Sequence, residues 1–581
     1  MYDSLDRVRK MVSQLKRFVN HVSDCDVLVI GGGCAGLFSA IKAAQLGKSV
    51  ILVDKGYVSR SGCSTFAAGA INVCLPEDDH NAWFEEIIER GEYLNDQDWV
   101  KLQLDEGYER VRELQEWGKG YGKLVIDENE KGRYVRRQAR GNINTLTCII
   151  NAFPMMDTLR RKALNSGVKL IERVMITQLF VHEGRAVAAM GLHSRTGEIH
   201  LFTTRAVILA AGGCGFKSFM IGHHNLTGEG HYMAYAAGAW LRNLDQAMSN
   251  TTAHDLDVHG LSHMVGCGGR FLNRDDEEFM WRYEPKVGSR ARLTKLVISM
   301  AKEVEAGRGP IYMDLTGVNA DDQVMLKRIL PEAFMAFDRI GINPFGQKVE
   351  WIASFEGSLC HGGGVHINTK CESTIPGLYA VGDASCTPEH GTWSITGLNL
   401  TFCFVSGERA GRFAARYAQD VSPISLDNII EKVEQAAREV IAPVKKLDGM
   451  RSDDFTYQLL KVLIPYKTCY LRTESTLKEA LGKVERLRLE DLPQVYAWDT
   501  HELVKANEVK SMVWIAEMIL RSVLSRHESR GFVWREDYPF TDNINWLKWV
   551  MVAKGEKGME VRLQDFPTPY LNPPREVYSP F

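Results

Sequence analysis

Residues 26–33 read Asp-Val-Leu-Val-Ile-Gly-Gly-Gly, and this string constrains the fold more than any other part of the chain. An apolar run of strand length ends in glycines, and the period then changes. Leu37, Ala40, Ile41 and Ala44 recur at helical spacing up to Gly47. Ser-Val-Ile-Leu-Val-Asp at 49–54 is a second buried strand. Strand, helix and strand in immediate succession make a βαβ unit, which calls for a parallel sheet covered by helices. The turn between them is Gly31-x-Gly33-x-x-Gly36, with Asp54 ending the next strand. Gly31 permits the tight turn, Gly33 lets backbone approach a pyrophosphate, and Gly36 allows close helix–sheet packing. The helix start at Cys34 and Ala35 offers N–H groups and a partial positive charge to phosphates. Asp54 can accept from ribose hydroxyls, and Lys55 falls in the same site.

The chain has 581 residues, more than one core can hold, since single cores stop growing near ~250–300 residues. Arg205–Gly213 and Gly377–Asp383 read as returning strands of the first sheet. Between them, residues 241–350 are rich in charge, Gly and His and read as an inserted domain. From 426 the pattern turns helical. The predicted organisation is an N-terminal helix at 1–22, a nucleotide domain in two parts (23–240 and 351–425), the insertion at 241–350, a helical domain at 426–550 and a tail at 551–581. The N-terminal helix rests on Leu5, Val8, Val12, Leu15, Val19 and Val22 at three- and four-residue steps. The tail carries five of the 18 prolines.

Net charge is −3, without the concentrated basic face that nucleic acid requires. No apolar run reaches the ~20 residues that span a bilayer, and the N-terminal segment has no secretory h-region. A cytoplasmic location is expected. Twelve cysteines without a CxxC pair argue against a zinc site or an iron–sulfur cluster held by this chain. His223 and His224 have no further ligand at useful spacing, so no metal site is expected.

Two further segments narrow the nucleotide. Val207-Ile-Leu-Ala-Ala-Gly-Gly213, with Ala211 and Gly212 at its end, resembles the second nucleotide-proximal strand of two-dinucleotide-fold flavoproteins. Ile375-Pro-Gly-Leu-Tyr-Ala-Val-Gly-Asp-Ala384 resembles their late FAD motif, which implies that Gly382 and Asp383 meet the ribityl chain. Ser61-Gly-Cys-Ser-Thr65 and Ala67-Ala-Gly-Ala-Ile-Asn72 resemble a flavin-threading loop. Leu226-Thr-Gly-Glu-Gly-His231, Gly269-Arg-Phe271, Tyr283-x-Pro285, Gly307-Arg-Gly309 and His527-Glu-Ser-Arg-Gly531 follow in order. The series resembles the flavoprotein subunits of the succinate dehydrogenase/fumarate reductase family over about 500 residues. Gly307-Arg-Gly-Pro-Ile-Tyr-Met-Asp314 looks most like the α subunit of adenylylsulfate reductase.

The resemblance implies an α/β fold: a two-dinucleotide-binding-type FAD domain, an inserted α+β capping domain and a C-terminal helical domain. It implies FAD contacts at Ser61, Gly62, Ser64, Thr65, Ala68, Gly69, Asn399 and Leu400 as well as those above. It also implies a separate iron–sulfur or ferredoxin-like partner. Four departures bear on chemistry. Cys63-Ser64-Thr65 lacks the histidine that carries covalent FAD in membrane-bound members. Leu244-Asp-Gln-Ala-Met-Ser-Asn250 lacks the substrate-contacting His-Pro-Thr. His390-Gly-Thr-Trp-Ser394 has serine where an arginine clamps a substrate carboxylate. The family's spacing for a proton-donating arginine gives position 293, which is leucine, with Arg290 and Arg292 close by. Those two arginines, His361 and His390 are the candidate catalytic residues.

Three functions stay open: a reductase or dehydrogenase acting on a small substrate other than fumarate, an adenylylsulfate-reductase-like enzyme, and an electron-transfer flavoprotein subunit of a larger complex. The loop at 63–65 makes one prediction. Acid precipitation should release all FAD from the protein, and flavin fluorescence left on the denatured polypeptide would contradict noncovalent binding.

Overall fold

The computed structural model describes residues 18–581 except 68, 140–141, 219–221, 259, 359–361 and 393–394. Most of the expected N-terminal helix lies outside the described residues, and its last two positions, His21 and Val22, already belong to a strand. That strand, β1 (His21–Ile30), pairs in parallel with β2 (Val50–Asp54), Val27 opposite Val50. Helix α1 (Cys34–Gln45) joins them. β3 (Lys169–Glu172) extends the sheet beyond β2. β4 (Val174–His182) and β5 (Arg185–His193) form an antiparallel pair, and β6 (Ile199–Leu209) links that pair to β1.

β6 runs parallel to β1 from His21/His200 to Ile30/Leu209. Its other edge is shared between β5 and the short parallel strand Leu378–Ala380. Both returning segments read from the sequence thus join this sheet. Val27, Leu28 and Val29 have no exposed surface, which is why the strand reads as an unbroken apolar run rather than an alternating one.

A second, antiparallel sheet has its own core. It contains β7 (Met248–Ala253), β8 (Arg270–Leu272), β9 (Ile311–Asp314) and β10 (Val349–Ser358), in the order β7-β10-β9-β8. Helix α2 (Leu293–Glu305) packs Leu296, Val297 and Met300 with Phe271, Met313 and Trp351. Phe532 and Trp534 from the C-terminal part complete the cluster.

α3 (Leu398–Asp420) returns to the first sheet and packs on α1, so closely that a Cβ on Gly411 would lie 2.4 Å from the Ser39 carbonyl oxygen. α4 (Thr500–Ser525) is capped by the Asp499 side chain, which accepts from the Glu502 N–H at 2.8 Å. α4 is buried nearly all round, Glu502, Glu508 and Glu517 included. Residues 551–581 are not simply a tail. β11 (Trp549–Gly555) and β12 (Gly558–Gln564) form a hairpin, and β11 pairs with Leu241–Arg242. Glycines at both ends of a two-residue loop, after an apolar strand, are its local cause. The remainder does run along the surface: Gln97 Oε1 accepts from the Tyr570 and Leu571 N–H groups at 2.9 and 3.0 Å. No helix among the described residues is long and apolar enough to cross a membrane.

A buried ion cluster joins the C-terminal region to the segment that leads into β7. Arg526 donates to Asp245 Oδ2 at 2.6 Å and to Glu528 Oε1 at 2.9 Å, and Arg530 donates to the same Glu528 oxygen at 2.8 Å. None of these four residues is more than 1% exposed. Removing one partner of a buried pair leaves a charge uncompensated, which is strongly destabilising. Asp245→Ala is therefore expected to lower the unfolding free energy by ~3–5 kcal/mol, measured by urea denaturation against wild type.

Candidate cofactor site

The glycine turn is built by contact distances. Gly31 has φ +114°, and a Cβ there would sit 2.2 Å from the Ala210 carbonyl oxygen. A Cβ on Gly36 would sit 2.0 Å from the Gly31 carbonyl oxygen, so α1 rests directly on the turn. Gly33 is extended and supplies no side-chain cap, and Gly33, Cys34 and Ala35 bring the start of α1 to the cavity wall. The Cys34 N–H donates to Ser64 Oγ at 3.1 Å. Asp54 braces the turn from the other side: Oδ2 accepts from Gly32 N–H and Oδ1 from Gly56 N–H, both at 2.7 Å, and Ser61 Oγ lies 3.4 Å from Oδ1.

These residues open onto a cavity of about 550 Å³. Gly31 and Gly33 line it from the turn, Cys34 and Ala35 from the start of α1, and Asp54 and Lys55 from the end of β2. Ser61, Gly62 and Ser64 line it from the following loop, Ala211 and Gly212 from β6, and Gly382 and Asp383 from the late motif. Gly36 lies behind the turn. Asn399 Nδ2 donates to Asp383 Oδ1 at 2.6 Å, which ties the start of α3 to the late motif. Asn399 Oδ1 and Thr65 Oγ1 are buried with no partner. Gly69 accepts from the Ile150 N–H at 3.1 Å, outside the cavity, and Leu400 packs against the core. Ala68 lies outside the described residues. Thr65 and Asn399 lie behind the lining; the glycine turn at the start of α1, the acidic brace of Asp54 and the Asp383 carboxylate in the wall fit a dinucleotide with further polar groups beyond its pyrophosphate.

Part of the wall cannot be read from the sequence. Val174, Met175 and Ile176 line one side, and His501, Val504, Lys505 and Glu508 come from α4. Lys55 Nζ donates to Thr227 Oγ1, Glu229 Oε1 and Glu508 Oε1, each at 2.9 Å, and Lys217 pairs with Glu508 Oε2 at 2.5 Å. Burial alone would raise the Glu508 carboxyl, but the Lys55 and Lys217 ammonium groups override it and hold it at about 2. The same carboxylates raise the Lys55 ammonium, against the burial that would lower it. Lys55 thus lines the cavity as part of an ion network. The nearby cue in the sequence is Glu229, inside the Leu226–His231 motif.

The candidate catalytic residues are less closely gathered. Arg290 is exposed. Arg292 donates to the Arg90 carbonyl at 3.0 Å and pairs with Glu92 at 3.0 Å. Leu293 is 4% exposed and opens α2. His390 is buried, its Nε2 3.8 Å from Glu389 Oε1. Burial pushes the Glu389 carboxyl well above the usual carboxylate range. His361, Trp393 and Ser394 lie outside the described residues.

The chain matches the FAD binding domain family over residues 26–400 and the fumarate reductase flavoprotein C-terminal family over 460–578. It belongs to the succinate dehydrogenase/fumarate reductase flavoprotein family. As a member it is an FAD-dependent oxidoreductase with the family's α/β FAD-binding fold and C-terminal helical domain. It is 29% identical to one of the subunits of the fumarate reductase (CoM/CoB) of Methanothermobacter marburgensis, over 91% of this chain and 97% of that protein. It is 27% identical to the fumarate reductase flavoprotein subunit of Mycobacterium tuberculosis H37Rv, over 92% and 95%. A variant of E. coli quinol fumarate reductase FrdA superposes with TM-score 0.86 at 22% identity, over 95% of this chain and 98% of that one. Adenylylsulfate reductase of Archaeoglobus fulgidus gives 0.78 at 22%, over 94% and 96%.

Two outcomes are expected of this site. Gly33→Val should abolish FAD binding by filling the approach to the first-turn amides, while Asp383→Ala should weaken it less; flavin content after purification reads both. Glu508→Gln should lower FAD affinity and stability. Glu508 sits below its unfolded value of about 4.3, so its contribution is full above that pH and is lost as pH falls toward about 2. The stability gap between wild type and Glu508→Gln should close over that acid window in pH-dependent unfolding.

Proposed function

We propose that this chain is the flavin subunit of an oxidoreductase that exchanges hydride with a small substrate other than fumarate and passes electrons to a separate iron–sulfur partner. The observation that carries the reading is at the start of α2. The position that family spacing gives to a proton-donating arginine is the buried Leu293, and neighbouring Arg292 is engaged by Glu92 and the Arg90 carbonyl. Ser394, in place of the clamp arginine, cannot form a bidentate pair with a carboxylate. A dianionic substrate would lack both groups.

FAD, when bound noncovalently, supplies the two-electron hydride chemistry. The start of α1 would hold its pyrophosphate, Asp54 the adjoining ribose, and Asp383, tied to Asn399, the far chain. Residues 241–350 act as the cap that excludes water from the reacting pair. Burial favours the protonated form of the Glu389 carboxyl, and His390 Nε2 lies 3.8 Å from its Oε1. A separate partner is supported by the absence of CxxC spacing in the sequence.

Anaerobic photoreduction of the flavoprotein, followed by candidate acceptors including adenylylsulfate, tests the reading. Fumarate is expected to leave the flavin reduced, and Ser394→Arg alone should not change that. A positioned general acid contributes ~10²–10⁴-fold, and repairing the clamp leaves Leu293 where that acid would stand. Rapid reoxidation of the wild-type flavin by fumarate would overturn the proposal.

A further inference from the structure

Parallel pairing of β1 with β6 sets His21 opposite His200. Their rings stack with centroids 4.4 Å apart at 29°. Glu198, just before the strand position of His200, brings its Oε2 to 3.5 Å from His21 Nε2. Ligand atoms of all three side chains lie within 4.8 Å of one another.

We propose that His21, Glu198 and His200 form a binding site for a divalent late first-row transition metal, of the zinc or nickel kind. Two imidazoles and one carboxylate are borderline ligands suited to such ions. Three protein ligands leave the remaining positions to water. His200 Nε2 is buried and has no partner, so a nitrogen that needs one already sits in the cluster. Thr196 Oγ1 donates to Glu198 Oε2 at 2.8 Å and fixes the carboxylate from outside the ligand set. His193 stands apart: its ring is 6.1 Å from His200, and its Nδ1 accepts from the Thr196 N–H at 3.2 Å. The spacing along the chain does not show this cluster, because strand pairing alone brings the two histidines together. A bound ion would clamp the start of β1 to the start of β6, at the opposite end of these strands from the glycine turn.

The test uses the full-length, tag-free, FAD-loaded protein, stripped of metal by chelator and titrated calorimetrically with zinc chloride and with nickel chloride. One ion per chain is expected. His21→Ala and His200→Ala should each weaken binding at least ~10-fold, the lower end of what loss of even an outer partner costs. Unchanged FAD content and circular dichroism would show that the variants are folded. Because His21 is exposed, His21→Ala carries the test should His200→Ala misfold. Absence of stoichiometric binding overturns the proposal, as does binding unaltered in His21→Ala, which would place the ion on other surface histidines such as His224.

Discussion

Gly31, Gly36 and Ala210 meet at distances that leave no room for one more carbon. The rest of the cofactor site depends on that contact. It brings the start of α1 down onto the ends of β1 and β6, so that Gly33, Cys34 and Ala35 line the cavity. Asp54 then fixes the loop geometry by accepting from the amides of Gly32 and Gly56. The site is therefore organised by backbone contacts before any ligand arrives, and little binding energy is spent on ordering it.

The parts of the fold that are legible from sequence are those where cause and effect lie close together in the chain. The βαβ unit, the acidic end of β2 and the returning strands all announce themselves in windows of a few residues. The α4 wall does not, because nothing around Glu508 records that Lys55 is its partner. The hairpin at 549–564 escapes for a different reason: its short apolar strand follows a long helical stretch, and its Gly-Glu-Lys-Gly turn reads as part of a polar tail. At the start of α2, counting along the chain singles out position 293, and the structure buries that leucine in the core of the second sheet. Sequence spacing offers Arg290 and Arg292 as substitutes but does not show that one is exposed and the other already paired.

The buried ion cluster separates architecture from specificity. Arg526, Glu528 and Arg530 bind one another, Asp245 and backbone carbonyls, so their charges are spent on joining the C-terminal region to the segment leading into β7. Of the two segments where the sequence departs from the family pattern, 244–250 supplies Asp245 to this cluster. A scaffold of this kind can change its substrate by altering such segments while its internal charges stay in place.

The Lys55–Glu508 contact spans 453 residues. On a ribosome, the glycine turn and β2 emerge among the first elements, whereas Glu508, the carboxylate shared by Lys55 and Lys217, emerges near the end of synthesis. Until then, two ammonium groups face an unfinished wall. The nascent chain can display the phosphate-binding turn early, but the cavity wall is complete only once α4 has docked.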